Sequence, residues 1–490
     1  MKPLIFTIFG ATGDLTFRKL VPALFTLYSK KIINKQFTIV GFARKEMNDL
    51  SFQDYLDQVV DKSKYSLEEI IYWKEFLLHI KYVSSDFHNT EGYSKLSEII
   101  KDITTLMNVE LEKDIVKVFY LSTSPESFQT IAQNISESNL CEICSESQNS
   151  RIVIEKPYGI DLQNSIDIDT ILRKSFLPEH IYRIDHYLGK ESVQNILVFR
   201  FANFIFERLW NKDNIDHIQI KVDENLGVEE RGGYYDTTGV IKDMVQNHIL
   251  QVISLITMEA PDSIMAQDIQ AKRLEILKNT CLFKNEDSMV LGQYDSYKHE
   301  RNVNLNSKTP TFISMKLMIN NSIWEGVPIY IRTGKKMEKK TSEVFIKFKD
   351  RDINIYDKLS GTQNDVLCFR IQPDEGISIM MMTKKPSDQF NKIELAPISL
   401  DFCYRPTFNQ PLLDSYVGLL QNVITADQSL FTSIEEVKAQ WEFINHIYSN
   451  LSNSVILYNE GTNGPKESDD LLKKDGRDWI DNQGYTCALK

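Results

Sequence analysis

The chain has 490 residues, enough for two or three domains, and its 68 acidic and 56 basic residues give a formal net charge of −12. Charges of both signs are interspersed, which argues against nucleic acid or a membrane surface as a partner. No stretch approaches the roughly twenty apolar residues of a membrane span, and the apolar run after the first residue is too short for a signal peptide. We therefore expect a cytoplasmic protein.

The first predicted element is a strand that leads through a glycine turn into a helix. The strand is the apolar run at residues 3–9. The turn consists of Gly10, Ala11, Thr12, Gly13, Asp14 and Leu15. Gly10 and Gly13 let the backbone approach a pyrophosphate, and the helix start supplies N–H donors and a partial positive charge. Thr12 and Leu15 replace the second and third glycines of G-x-G-x-x-G, so an ordinary strand-to-helix turn stays open as an alternative.

The second predicted strand, residues 37–42, is followed by two basic residues. Arg44 and Lys45 stand about thirty residues after the glycine turn, near the point where an NAD-selective site carries Asp or Glu for the ribose 2′-hydroxyl. A cation suits a 2′-phosphate instead, so we predict NADP as the cofactor and leave some use of NAD open. The alternative interpretation is a solvated basic strand end.

Strands and helices continue to alternate up to about residue 180. A charged helical stretch is predicted at residues 52–78, and buried parallel strands are predicted at residues 116–122 and 151–155. This alternation predicts a doubly wound α/β sheet, the Rossmann fold, as an NADP-binding domain over residues 1–180. The strand ends of such a sheet line the cofactor crevice.

A polar loop predicted at residues 139–150 holds a C-x-x-C pair. Cys141 and Cys144 form this pair, and no second pair or histidine accompanies them in the sequence. A zinc site needs more ligands than these two thiols, so we expect reduced cysteines and no metal. A redox role for the pair stays open.

Residues 183–190, Arg-Ile-Asp-His-Tyr-Leu-Gly-Lys, concentrate reactive side chains in one short stretch. If a helix begins near Asp185, His186 and Lys190 lie four residues apart on one face, where both can grip one anion. Asp185 then points elsewhere and can orient a base. The charge pattern alone favours a simpler interpretation, a solvated helix start with a capping aspartate.

A second histidine falls on a predicted amphipathic helix. Apolar residues recur at helical spacing from Ile241 to Ile256 and predict a helix packed on a core. His248 lies on that apolar stripe, where a histidine is usually a core residue with satisfied hydrogen bonds. Asp243 and two amide side chains nevertheless crowd the same two turns with groups able to bind a polyol.

Strand patterns dominate the chain from about residue 193. They predict a large antiparallel sheet with helices between its strands, in an α+β substrate-binding and dimerisation domain over residues 181–490. The predicted strands are residues 196–201, 217–222, 311–317, 344–348, 366–371 and 377–382. Residues 452–473, rich in Gly, Asn and charge, are predicted to form an exposed loop.

Together these segments resemble the glucose-6-phosphate dehydrogenase family, and the resemblance covers almost the whole chain in the same order. Its most specific part is the stretch at residues 183–190 together with the His248 helix. Further matching stretches are residues 155–159 and 327–335, and Gly461, Gly464, Pro465, Asp469, Leu471 and Trp479 in the tail. Thr341 and Phe345 stand where the animal enzymes carry basic residues for a second, structural NADP site. The resemblance is therefore to the bacterial type.

The resemblance implies oxidation of β-D-glucose 6-phosphate at C1 to 6-phospho-D-glucono-1,5-lactone with hydride transfer to NADP, the first step of the oxidative pentose phosphate pathway. His248 would be the general base, a role that suits histidine because the pKa of an imidazole lies near working pH. Asp185 would hold the imidazole of His248 in the productive tautomer. The implied substrate-binding residues are Lys156, His186, Tyr187, Lys190, Glu224, Asp243, Lys335 and Lys340. The implied cofactor-binding residues are those of the glycine turn, Lys19, Arg44 and Lys156.

The resemblance also implies a homodimer or tetramer, assembled in the family through the large sheet. Two other functions stay open. One is a dehydrogenase of another hexose or hexose phosphate; the predicted phosphate-binding residues His186, Tyr187 and Lys190 favour a phosphorylated substrate over a free hexose. The other is an inactive NADP-binding sensor, against which the presence of Asp185 and His248 argues.

Overall fold

The computed structural model describes residues 2–33, 35–107, 115–138, 140, 149–283, 288–350, 365–386, 393–410, 412–451 and 454–481. The predicted C-x-x-C pair, Cys141 and Cys144, lies outside the described residues. The chain divides into two compact units. The first comprises Met1–Gly189, Pro261–Ala271 and Leu413–Lys438, and the second comprises Lys190–Ala260, Lys272–Leu412 and Ala439–Lys490.

Sixteen strands are present in the described part of the chain. They are β1 (Leu4–Phe9), β2 (Phe37–Ala43), β3 (Ile80–Ser84), β4 (Val116–Leu121), β5 (Ser150–Ile154), β6 (Ile181–Arg183), β7 (Ile215–Asp223), β8 (Thr280–Leu282), β9 (Met289–Tyr294), β10 (Phe312–Ile319), β11 (Ile329–Gly334), β12 (Thr341–Phe348), β13 (Val366–Gln372), β14 (Gly376–Lys384), β15 (Leu395–Cys403) and β16 (Ile456–Tyr458).

The α-helices are α1 (Val21–Ser29), α2 (Asp49–Val59), α3 (Leu67–Leu77), α4 (Thr90–Leu106), α5 (Phe128–Glu137), α6 (Leu162–Leu172), α7 (Glu191–Ala202), α8 (Phe204–Glu207), α9 (Gly232–Val240), α10 (Leu250–Thr257), α11 (Ala266–Asn279), α12 (Tyr404–Phe408), α13 (Ser415–Thr425), α14 (Ile434–Ser449) and α15 (Glu467–Lys473). Two segments, Thr16–Leu20 and Ile241–Ile249, are π-helical, and short 3₁₀ turns occur at Pro125–Ser127, Pro178–His180, Glu229–Arg231 and Tyr297–His299. Within the described ranges, no helix has both the length and the apolar character needed to cross a membrane.

The first unit is built on a parallel sheet of six strands in the order β3-β2-β1-β4-β5-β6. All six residues of the central strand β1 are buried, as expected for a strand covered on both faces. Strand β1 pairs with β2 on one side and with β4 on the other, so the strand order reverses between β1 and β4. This topology confirms the predicted doubly wound sheet and places its switch point at the carboxyl end of β1.

The second unit is built on a ten-stranded sheet in the order β15-β14-β13-β12-β7-β11-β10-β9-β16, with β8 paired to β10. The predicted large sheet is confirmed, and most of its pairs are antiparallel. Two pairs, β7 with β11 and β9 with β16, are parallel. The central strand β7 carries polar as well as apolar residues, and four of its polar side chains are buried. They are His217, Gln219, Lys221 and Asp223.

Two predicted elements are wrong. Residues 196–201 were predicted to form a strand but belong to helix α7, which begins at Glu191. A six-residue apolar run does not distinguish a strand from a buried helical segment, because both present the same hydrophobicity over that length. The predicted exposed loop at residues 452–473 contains strand β16 and helix α15, where Tyr458, Leu471 and Leu472 are buried. The buried apolar residues of this segment are few, and the charged residues and glycines around them gave the sequence the pattern of a loop.

Candidate active site

The glycine turn lies at the carboxyl end of β1, at the switch point of the parallel sheet. Gly10 has a φ of +83°, and its N–H donates to the carbonyl oxygen of Phe42 at 2.9 Å. The N–H of Gly13 closes the turn on the carbonyl oxygen of Gly10, also at 2.9 Å. A Cβ added at Gly10 would lie 2.2 Å from the carbonyl oxygen of Ser122 at the end of β4. Only glycine fits this position, because the backbone is left-handed and tightly enclosed.

Replacing Gly10 with alanine is expected to open the turn and to abolish tight binding of the predicted dinucleotide. The left-handed backbone alone costs an alanine on the order of 1–3 kcal/mol, and the clash with Ser122 adds to that cost. A fluorescence titration with NADPH measures the loss of binding, and thermal unfolding measures the loss of stability. Gly418→Ala is the matched control, because an added Cβ in α13 meets open space. Normal NADPH affinity in Gly10→Ala would contradict the assignment of this turn.

Two charged residues of the turn and its helix already have partners within the first unit. Asp14 forms an ion pair with Arg18 at 2.8 Å, and both side chains are exposed. Lys19 lies in the π-helical first turn, and its Nζ contacts a carboxylate oxygen of Asp414 at 2.6 Å. Asp414 also caps α13 by accepting from the N–H of Tyr416 at 3.0 Å. The predicted cofactor residue Lys19 is therefore held at the start of α13.

Arg44 follows strand β2, the neighbour of β1 in the sheet. Its side chain is 77% exposed and contacts the carboxylate of Asp86 at 4.0 Å. Lys45 lies over the ring of Tyr55, with its Nζ 4.6 Å from the ring centroid. Arg44 thus retains a solvent-facing guanidinium at the carboxyl edge of the sheet.

Lys156 follows strand β5 at the same carboxyl edge, next to a half-buried carboxylate. Glu155 accepts hydrogen bonds from the hydroxyl groups of Tyr120 and Tyr416, the latter at 2.9 Å. Burial raises the pKa of the Glu155 carboxyl, although the two hydroxyl groups and Lys156 oppose this effect. No sequence pattern indicated this network, because Tyr416 lies in α13, far along the chain from β5.

The stretch at residues 183–190 runs from the end of strand β6 into a turn at residues 186–189 and forms no helix, which corrects the expectation of a shared helical face. The helix begins only at Glu191, with Lys190 as its N-cap residue. Asp185 is fully buried, and its Oδ1 accepts a hydrogen bond from the N–H of Tyr187 at 2.9 Å. The rings of His186 and Tyr187 meet edge to face at 5.2 Å. An aspartate that bonds the backbone two residues on stabilises a turn, and the charge pattern alone did not predict it.

In the second unit, Lys190 is held by an amide at the end of β13. Its Nζ donates to the Oε1 of Gln372, and the Nε2 of Gln372 donates to the Oγ of Ser342 at 3.1 Å. The amide orients the ammonium group and itself supplies no counter-charge, because an amide carries no net charge. This contact fixes the position of a cation at the start of α7.

Lys335, Glu224 and Asp243 come together as a cationic centre between two carboxylates. The Nζ of Lys335 donates to Glu224 and lies 3.5 Å from the Oδ2 of Asp243. Burial disfavours the charge on Lys335, but Glu224 and Asp243 outweigh it and raise the pKa of the ammonium group. The ring of Tyr235 covers the same ammonium at 5.3 Å. Lys340, also predicted to bind substrate, is exposed just before β12.

His248 is buried in the π-helical segment Ile241–Ile249 and is 1% exposed. The sequence predicted a helix here but not its type. In a π-helix the hydrogen bonds join residues five apart, which is the spacing between Asp243 and His248. A kink at Gly239, with a φ of +62°, precedes the segment. Such π-helical segments occur often at functional sites.

The predicted functional groups are divided between the two units. The first unit holds the glycine turn, Lys19, Arg44, Lys156, Asp185 and the His186–Tyr187 ring pair, and the second holds Lys190, Glu224, Asp243, His248, Lys335 and Lys340. The first set includes backbone N–H donors and cations suited to a dinucleotide. The second set includes a buried imidazole and paired charges suited to a sugar.

A doubly wound sheet with a glycine turn at its switch point, in a chain that also carries an α+β unit with a buried imidazole and paired charges, is typical of a nicotinamide-dependent oxidoreductase. The family described as the NAD binding domain of glucose-6-phosphate dehydrogenase matches residues 7–195. The C-terminal domain of the same family matches residues 197–480. The chain therefore belongs to the glucose-6-phosphate dehydrogenase family.

Curated relatives and solved structures agree with this membership. The glucose-6-phosphate 1-dehydrogenase of Chlamydia muridarum is 37% identical, with 97% of this chain and 96% of the relative covered. That of Bacillus subtilis is 36% identical, with 97% and 98% covered. A glucose-6-phosphate dehydrogenase solved in complex with its substrate glucose 6-phosphate has a TM-score of 0.89 at 30% identity and covers 98% of this chain and 99% of its own.

Proposed function

We propose that this protein oxidises β-D-glucose 6-phosphate at C1 to 6-phospho-D-glucono-1,5-lactone and passes the hydride to NADP. The observation that carries the proposal is the likeness, over 98% of this chain, to a glucose-6-phosphate dehydrogenase solved with glucose 6-phosphate bound. The reaction would open the oxidative branch of the pentose phosphate pathway.

The residues of the first unit fit a phosphorylated dinucleotide. The left-handed Gly10 lets a pyrophosphate approach the start of the following helix, and the exposed Arg44 suits a 2′-phosphate. Lys156 lies at the same edge of the sheet. When bound, NADP supplies the acceptor for the hydride that leaves C1.

We assign proton abstraction from the C1 hydroxyl to His248. An imidazole suits this role because its pKa lies near neutral pH, so the neutral base and its conjugate acid are both accessible. We assign Asp185 the role of the carboxylate that holds His248 in the productive tautomer and stabilises the imidazolium that forms. The burial of both side chains supports roles that require a fixed orientation.

We assign the binding of the phosphate and the binding of the sugar to two further sets of residues. His186, Tyr187 and Lys190 would hold the phosphate, whose binding energy fixes C1 for reaction. Glu224 and Asp243 would accept hydrogen bonds from sugar hydroxyl groups, while Lys335 offsets one of their two negative charges and would donate to an oxygen of the sugar. The exposed Lys340 would add a further cation at the substrate.

We also propose that residues 1–180 act as the NADP-binding domain and residues 181–490 as the substrate-binding and dimerisation domain. The family resemblance supports a cytoplasmic homodimer or tetramer.

Replacing Arg44 with alanine is expected to lower the affinity for NADP by roughly tenfold or more, because a charge-assisted hydrogen bond to phosphate contributes about 1.5–3 kcal/mol. The affinity for NAD should change little, since NAD lacks the 2′-phosphate. Michaelis constants for both cofactors provide the measurement. Equal losses for NADP and NAD would show that Arg44 does not contact the 2′-phosphate.

Isotope transfer tests the chemistry itself. Glucose 6-phosphate deuterated at C1 should yield reduced cofactor that carries the deuterium, as measured by mass spectrometry or proton NMR. Free glucose should react far more slowly, because it lacks the phosphate. Deuterium retained in the sugar product, or an equal rate with another hexose phosphate, would contradict the proposal and favour a different sugar dehydrogenase.

A further inference from the structure

Two proposed substrate-binding residues project from the ends of neighbouring parallel strands. Glu224 is the first residue after β7, and Lys335 is the first residue after β11. The strand register places Gly334 opposite Asp223, and the N–H of Glu224 donates to the carbonyl oxygen of Gly334 at 2.9 Å. The separation of the Glu224 and Lys335 side chains therefore depends on how well the two strand ends stay aligned.

A buried ion pair joins these two strands just before their ends. The Nη2 of Arg332 on β11 contacts the Oδ2 of Asp223 on β7 at 2.6 Å, and both side chains are 4% exposed. Burial raises the pKa of the Asp223 carboxyl, while Arg332 opposes that shift. Removing one partner of an ion pair at this depth destabilises the fold much more than removing one partner of a surface pair, because the remaining charge is left buried and uncompensated.

The C-terminal tail packs against this ion pair through Trp479. The guanidinium of Arg332 lies 5.2 Å from the ring centroid of Trp479. Several contacts anchor the tail along β7. Among them, the N–H of Ile480 donates to the Oε1 of Gln219 at 2.8 Å, and the Nζ of Lys221 donates to the carbonyl oxygen of Ile480 at 2.7 Å. Arg332 is thus enclosed between a carboxylate and an indole ring, a geometry that suits its planar group.

We infer that Asp223 and Arg332, covered by Trp479, are positioning residues that keep Glu224 and Lys335 at the separation required by the sugar hydroxyl groups. Each acts through its own strand, because Asp223 directly precedes Glu224 and Arg332 stands three residues before Lys335. The inference rests on the proposed function, since it assigns Glu224 and Lys335 to the sugar.

The decisive variant is Asp223→Asn, which keeps the shape of the side chain and removes its charge. The expected result is a Michaelis constant for glucose 6-phosphate raised by roughly tenfold, the effect of about 1.4 kcal/mol of lost substrate binding, with the Michaelis constant for NADP unchanged. The double variant Asp223→Asn, Arg332→Gln removes both charges and should recover part of this loss, because no unpaired charge remains buried. Trp479→Leu should raise the same constant by a smaller factor.

Asp401→Asn is the matched control, since Asp401 pairs with Arg370 at 3.5 Å in the same sheet, at strands β13 and β15. It should lower the melting temperature without changing either Michaelis constant. If Asp223→Asn does not fold, the Michaelis constants for glucose 6-phosphate of the double variant and of Trp479→Leu test the positioning role instead. Unchanged substrate constants in these variants would overturn the positioning role. A wild-type protein that does not oxidise glucose 6-phosphate would instead overturn the proposed function.

Discussion

The variant His248→Asn is expected to lose roughly 100- to 10,000-fold in kcat, the range that general-base catalysis contributes, while its Michaelis constant for glucose 6-phosphate stays near the wild-type value. Asparagine fills a similar space in the buried π-helical segment but cannot accept the proton of the C1 hydroxyl. Substrate affinity should persist, because the groups assigned to phosphate and sugar are intact. Steady-state kinetics with glucose 6-phosphate and NADP give both constants.

His217→Asn provides the control for this experiment, because His217 is also buried in the second unit. Its Nδ1 lies 2.6 Å from the Oδ2 of Asp216, on strand β7. Removing the imidazole should therefore lower the melting temperature but leave kcat close to the wild-type value. A wild-type kcat in folded His248→Asn would remove His248 from the mechanism.

Lys190→Ala is expected to raise the Michaelis constant for glucose 6-phosphate by roughly 10- to 100-fold, because a hydrogen bond to a charged group contributes about 1.5–3 kcal/mol. Lys190 directly precedes α7, and the amide of Gln372 orients its ammonium without itself supplying a counter-charge. The kcat at saturating substrate should fall much less. Initial rates over a range of substrate concentrations separate the two effects.

A surface lysine of the same unit shows whether any loss of charge has this effect. Lys212 pairs with the exposed Glu325 at 3.2 Å, so Lys212→Ala should leave both kinetic constants unchanged. An unchanged Michaelis constant in Lys190→Ala would mean that the stretch at residues 183–190 does not bind the phosphate through this side chain.

The parallel sheet of the first unit was predictable because its strands are short, almost wholly apolar and separated by helices with polar faces. Strand β1 and the glycine turn were identified from adjacent residues alone. Helix α7 was mistaken for a strand, since its apolar run is shorter than two helical turns. The parallel pairing of β7 with β11 was not predictable either, because register between distant strands leaves no mark in a single sequence.

The candidate site shows the same division between local and distant information. Asp185, His248 and Lys335 stand in recognisable local stretches, so they could be proposed as site residues from the sequence alone. The π-helical form of the His248 segment was missed, because apolar spacing fits an α-helix nearly as well. The contacts of Glu155 with Tyr416, and of Arg332 with Asp223 and Trp479, join residues far apart in the chain. Only the folded structure reveals them.

The most direct measurement is the initial rate of nicotinamide reduction, followed by absorbance, with glucose 6-phosphate or free glucose and with NADP or NAD. Saturable reduction of NADP with glucose 6-phosphate, and far slower reduction with free glucose, is the predicted result. Folded protein that binds NADPH but reduces neither cofactor with either sugar would contradict the proposed activity. That result would favour a nicotinamide-binding protein without this catalytic function.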